Sequence, residues 1–331
     1  MNERALSLLE QYDIEVLRTR KGRGTFICET KQGDLVFQEY KGNPEKLKLQ
    51  QKVLERIKTL GLVQAEELIC DRENALFVKD SDEICYILKN YVEGSECDIY
   101  DNRECMEAVQ LLARLHHCME DIELEGLQVP PLYSPLKEYE KHNRELLRVW
   151  GYLKKKGQKQ VFEKSLLHAM EYFVPQAKQV TEEWKTMEEE RQDVLGKDTL
   201  FSEICHGDYQ YHNILRNGQG WHIVNFEKIQ RDDPVRDVYL FLRKVMEKCN
   251  WDIEKGRELL RAYEAIRSLS AYSKLDLYYR FAYPEKFWKI ANFYYNSPKA
   301  WIPEKNLEKL SLVIEQEEAK KQFMNAVFEK L

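Results

Sequence analysis

The sequence predicts an α+β fold in two lobes, with a small antiparallel sheet at the N-terminus and a large helical region after it. The first ~90 residues carry strand-like apolar runs interrupted by one helical segment. From Asp101 onward, apolar residues recur mainly at helical spacing. A length of 331 residues suits one large domain or two packed lobes. We therefore expect an N-lobe over residues 1–93, a C-lobe over residues 94–331 and a hinge near Glu93 and Gly94.

The predicted N-lobe begins with a short helix over residues 3–12 and continues as three strands, a helix and two strands. Gly22 and Gly24 mark the first hairpin connection. The helix is expected over residues 43–60, where Gly61 suits its C-terminus. The predicted strands are Ile14–Arg20, Thr25–Thr30, Leu35–Tyr40, Ala75–Lys79 and Ile84–Tyr91.

The predicted C-lobe is helical except around residues 200–230. One long helical stretch is expected from about residue 136 to residue 190. Short strands are expected at 204–208 and 221–226, on either side of a loop, and helices resume from about Asp237 to the end of the chain. An earlier amphipathic helix is marked by the apolar residues Ala108, Leu111, Leu112 and Leu115.

Composition argues against two classes of protein. Lys and Arg number 51 and Asp and Glu 57, which gives a net charge of −6 and disfavours nonspecific nucleic-acid binding. No apolar run approaches the ~20 residues of a membrane span. Residues 1–4 lead into an amphipathic segment and not into the apolar core of a signal peptide.

The cysteine pattern argues against a metal or redox motif. None of the pairs has C-x-x-C spacing, so zinc-ribbon and thioredoxin-like interpretations are disfavoured. Without a signal peptide we expect reduced and mostly buried thiols. The eight residues are Cys28, Cys70, Cys85, Cys97, Cys105, Cys118, Cys205 and Cys249.

The segment His206–Leu215 carries the chemistry that the sequence predicts most specifically. Asp208 stands five residues before Asn213, on a loop that follows a short strand. In phosphoryl transfer such an Asp accepts a proton from a substrate hydroxyl, and such an Asn holds Mg²⁺ through its carbonyl oxygen. His206 is expected to fix the loop backbone. Asp237, in the later D-P-x-x-D sequence, is expected either to cap the next helix or to anchor this loop.

These motifs resemble H-G-D-x-x-x-x-N and D-P-x-x-D of the aminoglycoside-phosphotransferase and choline-kinase branch of the protein-kinase-like fold. The resemblance implies a bilobal kinase-like structure with a catalytic-loop remnant over residues 206–237. It also implies a role for each matching position. The catalytic position is Asp208, the metal positions are Asn213 and Asn225, and the nucleotide-site positions are Gly22, Gly24, Gln38 and Asn90.

A narrower resemblance covers nearly the whole chain. Four segments are similar to the CotS-type bacterial spore coat proteins, and the aromatic C-terminal ones are the most specific, because phosphotransferases in general lack them. Most of those aromatic side chains are expected to pack in the core, with a minority at an interaction surface. The segments are Tyr40–Leu47, Lys141–Leu146, Tyr283–Asn292 and Tyr294–Ile302.

The chain departs from the phosphotransferase pattern at three charged positions. Gln38 stands where a strand Lys normally contacts the nucleotide phosphates, and the partner Glu of that Lys falls near Gln51. Asn225 stands where the fold normally has a metal-binding Asp. A neutral amide binds Mg²⁺ less well than a carboxylate does. The glycine-rich loop also lacks its third glycine, where Ile27 stands.

Two charged residues lie close to these positions in the sequence. Lys41 lies three residues after Gln38, so strand alternation places it on the opposite face and disfavours it. Glu227 lies two residues after Asn225, on the same side of an extended chain, and is a candidate replacement carboxylate.

Three functions follow from the resemblance and its departures. The first is a spore coat protein that acts in coat structure or assembly, made in the mother-cell cytoplasm, with other coat proteins as partners. The second is an ATP-dependent phosphotransferase acting on a small hydroxyl or amine substrate. The third is a nucleotide-binding pseudokinase that switches a partner. No cofactor is certain; ATP and Mg²⁺ are implied only where nucleotide binding has been retained. No nucleic-acid partner and no membrane span are expected.

Overall fold

The computed structural model describes residues 3–22, 24–131, 133–195, 203–297 and 304–328. Its contacts divide the chain into two compact units. The first falls within Met1–Leu132, Glu203–Phe241 and Ala262–Arg267, and the second within Tyr133–Ser202, Leu242–Arg261 and Ser268–Leu331. The predicted lobe boundary at residues 93 and 94 is a hinge in the sequence and not a division by contacts, so it stays a prediction.

Strands dominate the early part of the chain and helices the later part. The strands are β1 (Val16–Lys21), β2 (Thr25–Thr30), β3 (Gly33–Glu39), β4 (Gln64–Ala65), β5 (Leu68–Ile69), β6 (Val78–Lys79), β7 (Cys85–Asn90), β8 (Ser95–Glu96), β9 (Ile204–Cys205), β10 (Ile214–Asn217), β11 (Gly220–Ile223) and β12 (Gln230–Arg231). The helices are α1 (Lys46–Leu60), α2 (Asn102–Met119), α3 (Pro135–Lys155), α4 (Val161–Leu195), α5 (Val235–Lys248), α6 (Ile253–Glu264), α7 (Ala271–Ala282), α8 (Glu285–Asn296), α9 (Glu304–Glu315) and α10 (Glu317–Phe328). Short 3₁₀ segments cover Glu3–Gln11, Tyr211–Asn213 and Phe226–Lys228.

The main sheet of the first unit has the order β1-β2-β3-β7-β5, with β6 also paired to β7, and these pairs are antiparallel. Phe37 pairs with Leu88, and both side chains join the buried core on one face of the sheet. Gln38 pairs with Ile87, and Val36 with Lys89. Because side chains alternate along a strand, Gln38 and Lys89 share the other face.

A second, four-stranded sheet in the same unit has the order β4-β11-β10-β8. Strand β4 runs parallel to β11, with Ala65 opposite Ile223. The next residue, Glu66, donates its backbone N–H to the carbonyl of Ile223 at 3.0 Å. This pairing brings Glu66 beside the turn that follows β11. Helix α1 leads into β4 and ends at Gly61, which adopts the left-handed conformation expected of a helix C-terminus.

In the second unit, α3 packs against α4 and α8. Helix α3 begins after Ser134, whose hydroxyl accepts a hydrogen bond from the N–H of Lys137. Stacked aromatic rings join α3 to the neighbouring segments. Tyr139 stacks on Tyr283 with ring centroids 3.9 Å apart, and His142 stacks on Trp288 at 3.4 Å.

Several expected elements differ from the observed ones. The stretch from residue 136 to residue 190 is two helices and not one, since α3 ends at Lys155 and α4 begins at Val161. The N-terminal helix is a 3₁₀ segment. The segment 214–217, expected to be loop, is strand β10. Strands β4, β5, β8 and β12 were not predicted, because two residues carry no readable periodicity and their pairing partners are distant in sequence.

The predicted burial of thiols and aromatics can be compared with the structure. All eight cysteines lie within the described residues as free thiols, six buried and two partly exposed. Of the C-terminal aromatics, Phe287 and Tyr294 are buried and Phe293 is 60% exposed. The end of the similar segment, residues 298–302, lies outside the described residues. Among those described, no helix has both the length and the apolar character that a membrane span requires.

Candidate functional site

The loop with Asp208 is fixed by close backbone contacts within the first unit. Gly207 has a φ of +79°, and a Cβ there would lie 2.1 Å from the carbonyl oxygen of Lys228. Only glycine fits both conditions. His206 is fully buried, and its Nδ1 accepts a hydrogen bond from the N–H of Asp208 at 3.2 Å. Its Nε2 therefore carries the proton and donates to the carbonyl of Val224 at 3.1 Å. The prediction that His206 fixes the loop backbone is confirmed.

Asp237 anchors this loop, which resolves the alternative that the sequence left open. Its buried carboxylate accepts hydrogen bonds from the N–H groups of His206 at 2.8 Å and Gly207 at 2.9 Å. Burial opposes ionisation, but the hydrogen bond and charge of His116 help to hold the pKa of Asp237 below its ordinary value. Asp233 performs the other task, since its side chain accepts from the N–H of Val235 at the start of α5.

Both carboxylate oxygens of Asp208 have partners inside the chain. Oδ1 accepts a hydrogen bond from the amide of Gln210 at 2.6 Å, and Oδ2 forms an ion pair with Lys228 at 2.9 Å. The Asp208 side chain is 15% exposed. The group that the resemblance makes a catalytic base is therefore held by an adjacent cation.

The two predicted metal positions contact each other directly. The side-chain amide of Asn225 donates to Oδ1 of Asn213 at 2.8 Å, and the amide of Asn213 donates to the backbone carbonyl of Asp208 at 2.8 Å. Asn225 has a φ of +67°, in the left-handed region that Asn tolerates better than most residues. The spacing of these residues in the sequence does bring them together.

Lys89 lies at the centre of the candidate site, although the sequence analysis did not single it out. Its ammonium donates to Asn225 Oδ1 at 2.9 Å and lies 2.9 Å from Glu66 Oε2 and 2.8 Å from Glu227 Oε1. The side chain is 5% exposed. Lys89 falls in the predicted strand Ile84–Tyr91, just before the predicted hinge, and no role was predicted for it. The available signal was a lysine within an otherwise apolar buried strand, because a buried lysine needs a charged partner.

Glu66 holds the turn that carries Asn225. Its two carboxylate oxygens accept the backbone N–H groups of Asn225 at 2.8 Å and Phe226 at 3.0 Å. The Glu66 side chain is 1% exposed, so its charge depends on these donors and on Lys89. The residue that holds Lys89 is therefore not near Gln51, where the sequence places the lysine-holding Glu. The Gln51 amide donates to Glu55 instead.

Gln38 and Glu227 complete a cluster around Lys89 that also contains Glu66 and Asn225. The amide of Gln38 donates to Glu227 Oε1 at 2.6 Å, the same oxygen that contacts Lys89. Asn225 and Glu227 were expected to share a side of an extended chain. Residues 226–228 form a 3₁₀ turn instead, yet both side chains reach Lys89.

Ion pairing outweighs burial in the cluster. Burial alone would lower the pKa of Lys89, but the carboxylates of Glu66 and Glu227 more than offset this and raise it above its ordinary value. Burial would likewise raise the pKa of Glu227. Lys89, and to a smaller extent Gln38, holds it below its ordinary value instead. Lys89 and Glu227 are therefore charged at neutral pH.

The remaining predicted nucleotide-site residues, Gly22, Gly24 and Asn90, have structural roles. Gly22 donates its N–H to Thr25 across the β1–β2 turn, and Gly24 has a φ of +74°. The side-chain oxygen of Asn90 accepts a hydrogen bond from the N–H of Glu67 at 2.7 Å. Their assignment to a nucleotide site stays a prediction.

The oxygen donors at this place do not fit Mg²⁺. The ion needs near-octahedral oxygen ligands at about 2.1 Å and is usually held by carboxylates. Here Asn225 Oδ1 is bound by the Lys89 ammonium, and Asn213 Oδ1 is bound by the Asn225 amide. A divalent ion on Asn225 Oδ1 would meet a positive charge at contact distance. Within the described part of the chain, no group of three or more His, Cys, Asp or Glu side chains is arranged to hold a metal ion.

The fold of this chain is the one found in kinase-like phosphotransferases. An aminoglycoside phosphotransferase from Alicyclobacillus acidocaldarius matches with a TM-score of 0.80 and 16% identity, over 97% of this chain and 94% of its own. A spectinomycin phosphotransferase solved with ADP and spectinomycin matches with a TM-score of 0.64 and 13% identity, over 97% and 99%. The predicted fold class, with its N-terminal antiparallel sheet and helical C-terminal part, is confirmed.

The family to which the chain belongs is a smaller group than the proteins that share its fold. Residues 5–327 match the family described as "Spore coat putative kinase YutH", and the chain belongs to that family. Spore coat protein S of Bacillus subtilis (strain 168) is 24% identical over 321 residues, which cover 92% of this chain and 87% of that protein. The predicted resemblance to CotS-type spore coat proteins is confirmed.

Proposed function

We propose that the chain acts in the structure or assembly of the spore coat, with other coat proteins as partners, and that it does so without transferring phosphoryl groups. Family membership supports the coat context. The direct hydrogen bond between Asn213 and Asn225 carries the second part. It joins the two side chains that would have to face a metal ion.

The chemistry of phosphoryl transfer supports this proposal. Catalysis in this reaction depends mainly on positive charge placed around the phosphoryl group. Gln38 supplies none, and its amide is bound to Glu227. Removing one stabilising group of this kind typically lowers kcat by about 10²–10³. Changes at both residue 38 and residue 225 leave little activity, even with Asp208 in place.

Local charge disfavours the nucleotide-binding pseudokinase alternative. The solved relatives include complexes with ADP and with AMP-PNP and Ca²⁺, so nucleotide binding is a property of this fold in other proteins. In this chain, the cluster and its neighbouring loop contain one more carboxylate than ammonium group. The carboxylates are Glu66, Glu227 and Asp208, and the ammonium groups are Lys89 and Lys228. A polyphosphate without its metal ion would therefore meet net negative charge.

The proposal is tested by Asp208→Asn in the spore-forming host. The change keeps the shape of the side chain and removes its capacity to act as a base. We expect the variant to reach the coat in wild-type amount and the spores to keep their coat morphology, as judged by immunoblotting of coat extracts and electron microscopy. Lys228→Gln removes the other half of the ion pair and is the matched control. A coat defect with Asp208→Asn but not with Lys228→Gln would contradict a non-catalytic role.

A further inference from the structure

We propose that the Lys89 ammonium is a built-in cation that takes the place of a divalent ion in this fold, and that removing it uncovers a divalent-cation site formed by Glu66, Asn225 and Glu227. The inference rests on the proposed function, because it explains how the loops stay together without a metal. It adds a specific residue and a specific ligand class.

The oxygen shell around Lys89 resembles that of a bound cation. Three side-chain oxygens lie 2.8–2.9 Å from Nζ, one from Glu66 after β4 and two from Asn225 and Glu227 in the turn after β11. Lysine has three N–H donors, so each oxygen has one donor. The ammonium thus connects β7, the segment after β4 and the turn after β11 through one central charge.

Each of the three side chains that carry these oxygens is also held by a contact that does not involve Lys89. Glu66 is held by the backbone N–H groups of Asn225 and Phe226. The Asn225 amide is held by Asn213, and Glu227 is held by Gln38. The shell is therefore expected to persist when the lysine side chain is shortened or made apolar.

Charge and size define the ion that would enter. Without Lys89 the site holds two carboxylates, one of them fully buried, with no cation between them. Ca²⁺ binds oxygens at about 2.3–2.6 Å in flexible geometry, whereas Mg²⁺ demands about 2.1 Å and a regular octahedron. The observed shell needs to contract less for Ca²⁺. Ca²⁺ is therefore the ion of choice and Mg²⁺ the weaker competitor.

The test is the variant Lys89→Met, studied by thermal unfolding in EDTA and in 10 mM CaCl₂. In EDTA we expect a Tm lower than wild type, because two carboxylates lose their cation. Ca²⁺ should raise the Tm of the variant by about 5 °C, as saturating ligand does for a protein of this size. Wild-type protein should not respond. Lys79→Met is the control, since Lys79 forms an exposed ion pair with Glu83.

A second variant separates the cation site from general damage. Lys89→Met combined with Glu227→Gln removes one of the two carboxylates, so it should fold in EDTA and lose most of the Ca²⁺ response. A Lys89→Met protein that Ca²⁺ does not stabilise, whether folded or not, overturns the inference. A wild-type protein that Ca²⁺ stabilises as much as the variant overturns it too.

Phosphotransfer assays on the same samples separate this inference from the proposed function. Wild-type turnover of ATP would remove the non-catalytic role, while the Ca²⁺ response of Lys89→Met would still stand or fall on its own. If the wild-type protein does not turn over ATP and Ca²⁺ does not stabilise Lys89→Met, the non-catalytic role stands. The proposal that Lys89 replaces a divalent ion is then wrong.

Discussion

At the residue scale, contacts of two kinds hold the site together, those within the loop at Asp208 and those that join Lys89 to distant segments. The spacing from Asp208 to Asn213 is local, and Asn213 bonds both to the backbone of Asp208 and to the side chain of Asn225. Lys89 lies 136 and 138 residues before two of its partners. Only the register of β3 against β7 and the pairing of β4 with β11 bring these residues together, and neither is encoded in a local pattern.

Gly207→Ala should destabilise the first unit. A side chain there would adopt an unfavourable positive φ and collide with the carbonyl of Lys228. We expect a loss of about 1–3 kcal/mol or more, measured by chemical denaturation. Gly218→Ala is the control, because a Cβ at that position meets no atom within 4 Å. Equal stabilities of the two variants would show that the loop is not held as closely as described.

At the scale of elements, long helices and well-separated strands were predictable, whereas two-residue strands were not. β2 matches its predicted bounds, and α1 ends at the predicted residue. Strand β10 was expected to be loop because its four residues offer too short a pattern and because one of its two partners, β8, is distant in the sequence. The break between α3 and α4 was missed although Gly157 lies in it, because the Lys and Gln residues around that glycine continue a helix pattern well.

The contact between α3 and α8 should make the second unit sensitive to acid. His142 is buried against Trp288, and burial lowers its pKa from 6.5 to about 4. Stability from this group is fully present above pH 6.5 and is lost as the pH falls towards 4, because the unfolded chain takes up the proton first. His142→Phe keeps a ring at this place and should reduce the fall in Tm between pH 6.5 and 4 by several degrees.

The control for that prediction is His168→Phe, since the His168 side chain is 88% exposed. Calorimetric scans at pH 7, 5.5 and 4 compare the two variants with wild type. An unchanged pH dependence in His142→Phe would mean that this ring is not the source of the acid sensitivity.

At the scale of the whole molecule, the chain keeps the phosphotransferase fold while its site is tied together by internal ion pairs and hydrogen bonds. Charges of the phosphotransferase pattern are missing at Gln38 and Asn225. The double change Gln38→Lys with Asn225→Asp returns both of them. With Lys89 in place this double change adds a second ammonium group to the same face of β3 and β7 and leaves the cation position filled. Restoration therefore needs Lys89→Met as a third change.

The most direct test of the central claim is calorimetric titration of the wild-type protein with ATP, with and without 10 mM MgCl₂. The proposed internal cation predicts no binding heat in either buffer up to millimolar nucleotide. The triple variant Gln38→Lys, Asn225→Asp and Lys89→Met should gain Mg²⁺-dependent binding under the same conditions. Mg²⁺-dependent binding of ATP by the wild-type protein at micromolar affinity would contradict the account, because it would require a metal ion where the Lys89 ammonium lies.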